Sequence, residues 1–102
     1  MTERKMERLI KTEIPVGTDV SGVVAFLDSR KIVHSEYIIE KPFGNIDDKP
    51  QKYGGKINGF ITAGMRDVRS NILVSTDISM VFYFDENKKL MDYTVKEVHT
   101  GL

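Results

Sequence analysis

The spacing of the apolar residues changes once along this chain, and that change constrains the fold more than any other feature. Before Ile32 the apolar residues recur at steps of three and four, which is the spacing of one face of an α-helix. From Ile32 onward they tend to alternate with polar residues, which is typical of β-strands. The sequence therefore predicts an α+β domain in which two N-terminal helices pack on one face of a four-stranded antiparallel sheet.

Two helices are predicted, over residues 1–14 and 18–31. The apolar stripe of the first helix consists of Met6, Leu9, Ile10 and Ile14. Pro15 ends this helix because proline has no amide donor. Thr18 is the predicted N-cap of the second helix, with Asp19 in its first turn. The apolar face of the second helix consists of Val20, Val23, Val24, Phe26 and Leu27.

The sheet is predicted over 33–98, with the long loop 40–56 after its first strand. Strands are expected over 33–39, over 57–68 with Ile57 in phase with Ile61, over 72–84, and from Met91 onward. In the third strand, one face has Ile78, Met80, Phe82 and Phe84, and the other has Val81 and Tyr83. Met91, Tyr93 and Val95 are predicted to share a face of the last strand, which has a bulge or an end near Glu97. Gly59 and Gly64 predict a bulge or a close backbone approach.

Composition limits the classes of function that the chain can have. Residues 1–102 fit a single domain, and the 15 basic residues balance the 15 acidic ones, so nucleic acid is not an expected partner. No apolar run approaches the roughly 20 residues of a membrane span, and no signal peptide is recognised. An extracytoplasmic location (periplasm or envelope) is expected if the chain is a trimmed mature form, and a cytoplasmic one otherwise.

No motif predicts a catalytic, cofactor or metal site. Cysteine is absent, which excludes thiolate chemistry, and Gly54-Gly55 precedes a strand instead of the helix that a phosphate loop requires. His34 and Glu36 share one face of a predicted strand, so they are either a pair of ligands or a solvated polar face. Asp47-Asp48 could bind a cation, but adjacent aspartates in a loop are more typical of a turn.

Four residues are candidates for binding a partner. Phe43 and Tyr53 are aromatic residues in the long loop, and they either anchor an interface or fold back over the core. Arg66 and Arg69, with Asp67 between them, lie where the second predicted strand ends. They are interpreted either as a surface ion-pair cluster or as a site that binds a carboxylate or phosphate.

In the stretch 14–27 a glycine starts a helix and apolar residues follow at fixed steps, here Gly17, Val23, Phe26 and Leu27. In the stretch 82–90 an aromatic strand runs into an Asp/Asn turn and a short apolar return. The first stretch resembles the helix, and the second the hairpin, of the SmpA/OmlA-like small outer-membrane lipoproteins, whose helix-helix-sheet fold is shared with the β-lactamase inhibitor protein. The chain departs from the family where Asp28-Ser29-Arg30 replaces Gly-x-Pro, where Asn87-Lys88 replaces Asn-Gly, and in having no lipobox cysteine. The resemblance implies action by protein contact, in envelope assembly or enzyme inhibition.

The leading hypothesis is therefore a non-enzymatic protein-interaction module, of a bacterial envelope lipoprotein type, that needs no cofactor. The alternative is a small-ligand-binding or enzymatic α+β domain with a pocket between helices and sheet, where His34, Glu36 and His99 supply the polar groups. A third interpretation is a structural domain that self-associates through the helix at 2–14.

Overall fold

The computed structural model describes residues 3–39, 57–70 and 74–101, which form two helices followed by a four-stranded antiparallel sheet. The predicted fold class is thereby confirmed. The strands are hydrogen-bonded in chain order, and β4 forms one edge of the sheet. The elements are α1 (Glu3–Glu13), α2 (Val20–Ser29), β1 (Val33–His34), β2 (Gly59–Ser70), β3 (Val74–Phe84) and β4 (Leu90–Gly101).

Helix α1 packs against the rest of the domain through its predicted apolar stripe. Met6 and Ile10 are fully buried, and Ile14, just after the helix, is 2% exposed. The helix lies against β4, and the amide of Glu3 donates a hydrogen bond of 2.7 Å to the Glu97 carboxylate of that strand. A carboxylate is favourable here because the first amides of a helix have no partner within it and carry partial positive charge.

Helix α2 begins one residue later than predicted, because Asp19 and not Thr18 is its N-cap. The Asp19 carboxylate accepts a hydrogen bond of 2.9 Å from the amide of Gly22, and this bond lowers the carboxyl pKa below its ordinary value. The Thr18 hydroxyl is engaged elsewhere, since it donates to the carbonyl of Pro15. The helix ends at Ser29, ahead of the predicted residue 31, because Lys31 has a left-handed backbone with φ of 57°.

The main core lies between the helices and the inner face of the sheet. As the alternation predicts, every second residue of β3 from Ile78 to Phe84 is buried there. The residues of the main core are Met6, Ile10, Ile14, Val23, Phe26, Leu27, Ile32, Ile61, Ala63, Ile78, Met80, Phe82, Phe84, Leu90 and Val95. A second cluster of Ile57, Val81 and Tyr83 is also buried, with Phe60 and Met91 packed against it. Val81 and Tyr83 therefore occupy the opposite face, as predicted.

Strand β1 is much shorter than the predicted strand over 33–39. After His34 the ladder is interrupted because the Ser35 hydroxyl oxygen, in place of a main-chain carbonyl, accepts a hydrogen bond of 3.0 Å from the amide of Thr62. Pairing resumes only as an isolated bridge between Ile38 and Phe60. The predicted loop over 40–56 lies outside the described residues.

The irregularity in β4 lies at the start of the strand and not near Glu97. Glu97 pairs with Ile78 in unbroken register, whereas the register shifts where Tyr83 pairs with Asp92 and Phe84 with Leu90. Leu90 is held at this point by main-chain hydrogen bonds to Gly17 and Thr18. Met91 is consequently an extra residue and packs against the second cluster, so it does not share a face with Tyr93 and Val95.

Strand β2 also begins later than the alternation predicts, and this places Ile57 in the second cluster instead of beside Ile61. The expected close approach occurs at Gly59, where a Cβ atom would lie 2.6 Å from the main-chain oxygen of Ile38. Gly64 has no such neighbour, and the register shift of β2 falls after it, between Met65 and Arg69.

The two glycines of β2 provide a matched test of this packing. At Gly59 an added Cβ would also lie 2.5 Å from Cζ of Tyr37, so we expect Gly59→Ala to lower the free energy of unfolding by about 1–3 kcal/mol. At Gly64 the nearest atom to an added Cβ is the Ile78 main-chain oxygen at 3.6 Å. Gly64→Ala is therefore expected to change the free energy of unfolding by about 0.5 kcal/mol or less. Urea unfolding of both variants measures the difference, and equal losses would contradict the close approach.

The contact between Glu97 and the start of α1 is also testable. Replacing Glu97 by Gln keeps a hydrogen-bond acceptor but removes the charge, so we expect a loss of about 0.3–1 kcal/mol in the free energy of unfolding. Salt should reduce the difference from the unmodified chain because it screens the helix dipole. Glu36→Gln, at an exposed position, is the control; an equal loss in both variants would contradict the capping role.

Candidate functional site

The sheet register places several residues side by side on the outer face, opposite the helices. Val33 pairs with Gly64, Gly64 with Ser79, and Asp77 with Val98 in the next row. Directly paired residues of antiparallel strands point to the same face. Since the neighbouring Ala63 and Ile78 point into the main core, these residues point away from it. We call Val33, Gly64, Asp77, Ser79 and Val98 the outer patch.

The outer patch lines a depression of about 680 Å³, whose wall Lys31, Met65 and Ile78 complete. Gly64 has no side chain, so it contributes only backbone to this wall. The volume is within the roughly 300–1,000 Å³ of typical binding pockets. The depression therefore provides room for several side chains of a bound molecule.

The two valines of the outer patch are unusually exposed for their residue type. Val33 has 80% of its surface exposed and Val98 has 47%, whereas Val95, three residues earlier in β4, has 4%. Lys31 is an exposed cation at the same depression, and Asp77 is a half-buried acid. Apolar side chains bordered by charges of both signs are typical of surfaces that contact other proteins.

The sequence-predicted contact residues lie only partly within the described structure. Phe43 and Tyr53 are outside the described residues. The backbone of β2 includes Arg66 and Arg69, and Arg69 pairs with Thr76, but the side chains of both arginines are outside the described part. Both follow Gly64 along β2, so their backbone continues from the outer patch.

Sequence reasoning missed Val33 and Val98 as surface residues. Val33 was assigned to a longer strand, and nothing in its local sequence indicates that it is exposed. Val98 did give a signal, because it falls outside the alternation of the last strand. The register explains the difference: Val98 pairs with the outward-facing Asp77, while Val95 pairs with the inward-facing Met80.

His34 connects β1 to α2. Its Nε2 atom lies 2.7 Å from the Asp28 carboxylate, and its Nδ1 atom lies 2.7 Å from the main-chain oxygen of Ser35. The hydrogen bond to Ser35, followed by that to Asp28, raises the pKa of His34 above its ordinary value of 6.5. The His34 side chain is 17% exposed and that of Asp28 is 66% exposed, so the pair lies at the surface.

Of the three polar groups named for a ligand pocket, two have side chains within the described part. His34 points to Asp28, Glu36 is exposed, and the side chain of His99 is outside the described part. Within the part of the chain that the structure describes, no three His, Cys, Asp or Glu side chains form a group that could hold a metal ion. None of the described helices is long and apolar enough to cross a membrane.

Comparison with protein-family models, with curated proteins and with solved structures finds no match for this chain. The resemblance to the SmpA/OmlA-like lipoproteins accordingly stays a prediction from sequence. The outer patch must be interpreted from its own chemistry.

Substitutions at two valines of β4 test whether the outer patch is dispensable for folding. We expect Val98→Thr to change the free energy of unfolding by about 0.5 kcal/mol or less, because Val98 is exposed. The same substitution at buried Val95 places a hydroxyl in the main core and is expected to cost about 1–3 kcal/mol. Urea unfolding compares them. A cost at Val98 equal to that at Val95 would show that the patch is covered by the chain itself.

Proposed function

We propose that this chain is a non-enzymatic protein-interaction module that binds a partner protein through the outer patch. The observation that supports this most directly is the exposure of Val33 and Val98 beside one depression of the sheet. Covering these two side chains with an apolar surface would remove them from water, which is the main driving force of most protein association.

The proposed occupant is an extended segment of another protein that presents small apolar side chains. The depression lies between strands and has backbone in its middle at Gly64, so an extended chain can approach it closely. Lys31 offers a contact for an acidic residue of the segment, and the two valines offer contacts for its apolar residues. Arg66 and Arg69 stay predicted contacts because they follow the patch along β2.

Two further considerations support an interaction module. The helix-helix-sheet order is the one that the resemblance to SmpA/OmlA-like lipoproteins implies, and proteins of that fold act by contact with other proteins. The proposal therefore also includes a location in the bacterial envelope, as in that family. The space between the helices and the inner face is occupied by the packed side chains of the main core, which favours the outer face over a pocket between the layers.

The proposal is tested by site-specific photo-crosslinking in extract of the source organism. A photoreactive amino acid replaces Val98 in one variant and Val16 in a second; Val16 is 68% exposed but lies outside the outer patch. We expect one defined protein to be crosslinked from position 98 and not from position 16. Val33→Glu should then reduce the yield at position 98 by tenfold or more, on the order of 1.4 kcal/mol of binding free energy.

Two results would contradict the proposal. One is the same set of crosslinked proteins from positions 98 and 16, which indicates collisions with exposed side chains. The other is a yield that Val33→Glu leaves unchanged. Circular dichroism of each variant confirms that the fold is retained, as the exposure of Val33 predicts.

A further inference from the structure

Both ring nitrogens of His34 face hydrogen-bond acceptors. The Asp28 carboxylate is an acceptor when ionised, and the Ser35 main-chain carbonyl is always one. A neutral imidazole has a single N–H, so it donates to one of these groups and leaves its other nitrogen facing an oxygen at 2.7 Å. Only the protonated ring donates to both. This geometry therefore suits the imidazolium form, in which both contacts are hydrogen bonds.

From this geometry we propose that His34 is a proton-operated clamp: protonated, it holds β1 to α2 and keeps the outer patch formed, and deprotonated, it loses one of its two hydrogen bonds and loosens β1. The role in binding rests on the function proposed above. The clamp itself is a property of the chain without any partner.

The position of His34 explains why the clamp would act on the outer patch. Strand β1 is held to β2 by only two residue pairs, one of which is Val33 with Gly64 inside the patch. Ser35, which accepts from the His34 ring, also donates its amide to the carbonyl of Thr62 on β2. Loss of one ring hydrogen bond therefore loosens the same short segment that positions Val33.

The charged groups around the ring support a simple titration. On α2 the facing group is Asp28, and this carboxylate raises the His34 pKa by hydrogen bonding and by its charge. The residue paired with His34 on β2 is Ala63, which has no charge. Lys31 before the ring and Glu36 after it are exposed, and neither contributes to the shift.

The direction of the pH dependence follows from the raised pKa. Because the folded chain binds the His34 proton more tightly than the unfolded chain, the clamp contributes its full stability below pH 6.5, the ordinary pKa of histidine. That contribution is lost as the pH rises through the higher pKa of the folded chain. The outer patch should accordingly be best ordered in mildly acidic solution.

The test uses the isolated chain and NMR, so it does not depend on a partner. The ring resonances of His34 are titrated with pH, and the amide exchange of Ser35 is measured as a protection factor, which corrects for the intrinsic pH dependence of exchange. The amide of Met80, in the centre of the sheet, reports global opening. We expect the protection of Ser35 to fall about three- to tenfold as the ring loses its proton, with little change at Met80.

Two variants test whether the contact between His34 and Asp28 causes the pH dependence of Ser35 protection. Asp28→Asn should lower the His34 pKa and reduce the pH dependence at Ser35, while Glu36→Gln, a matched loss of a nearby exposed carboxylate, should leave both unchanged. Protection at Ser35 that stays constant through the His34 titration would overturn the clamp, as would equal effects of the two variants. If the clamp is found but photo-crosslinking at Val98 fails, the proposed function is contradicted and the clamp stands.

Discussion

Burial of the inner face of β3 is the interaction on which the rest of the structure depends. Four of its residues are at most 1% exposed, namely Ile78, Met80, Phe82 and Phe84. A sheet with so apolar a face needs a cover, and helices of ten or eleven residues are marginal unless they pack on something. The two layers therefore stabilise each other, and the direction in which every other strand residue points is set relative to this face.

The polar contacts decide how the layers are aligned. Glu97 meets the first amides of α1, and His34 meets Asp28 near the end of α2, so each helix has a hydrogen bond to a sheet residue. These contacts contribute little stability compared with the core, but each is satisfied in only one arrangement of helix and strand. The contact at His34 differs from the other because one of the two donors of the ring is lost when the ring is neutral. Under the clamp proposed above, the protonation of this one side chain makes the ordering of β1 depend on pH.

The outer face is divided into two regions of different character. Toward the hairpin between β3 and β4, Val81 and Tyr83 are buried in the second cluster, whereas farther from that hairpin Val33 on β1 and Val98 on β4 are exposed beside a depression. A protein that needed only a stable sheet could place polar residues at both valine positions without loss of core packing. This is why the exposed region, and not the buried one, is where we place the contact with a partner.

The sequence by itself determined the order of the elements and the inward face of each helix and of β3, because local periodicity decides which side chains can share a core. It could not determine that Asp19 caps α2 in place of Thr18, since both are good caps and the choice depends on what else Thr18 contacts. Only the tertiary structure determined which residues form the outer patch. Val33 and Val98 lie far apart in sequence, and the pairing of four strands places both beside one depression. The register that does this depends on how the apolar patterns of distant strands pack together, which no single stretch specifies.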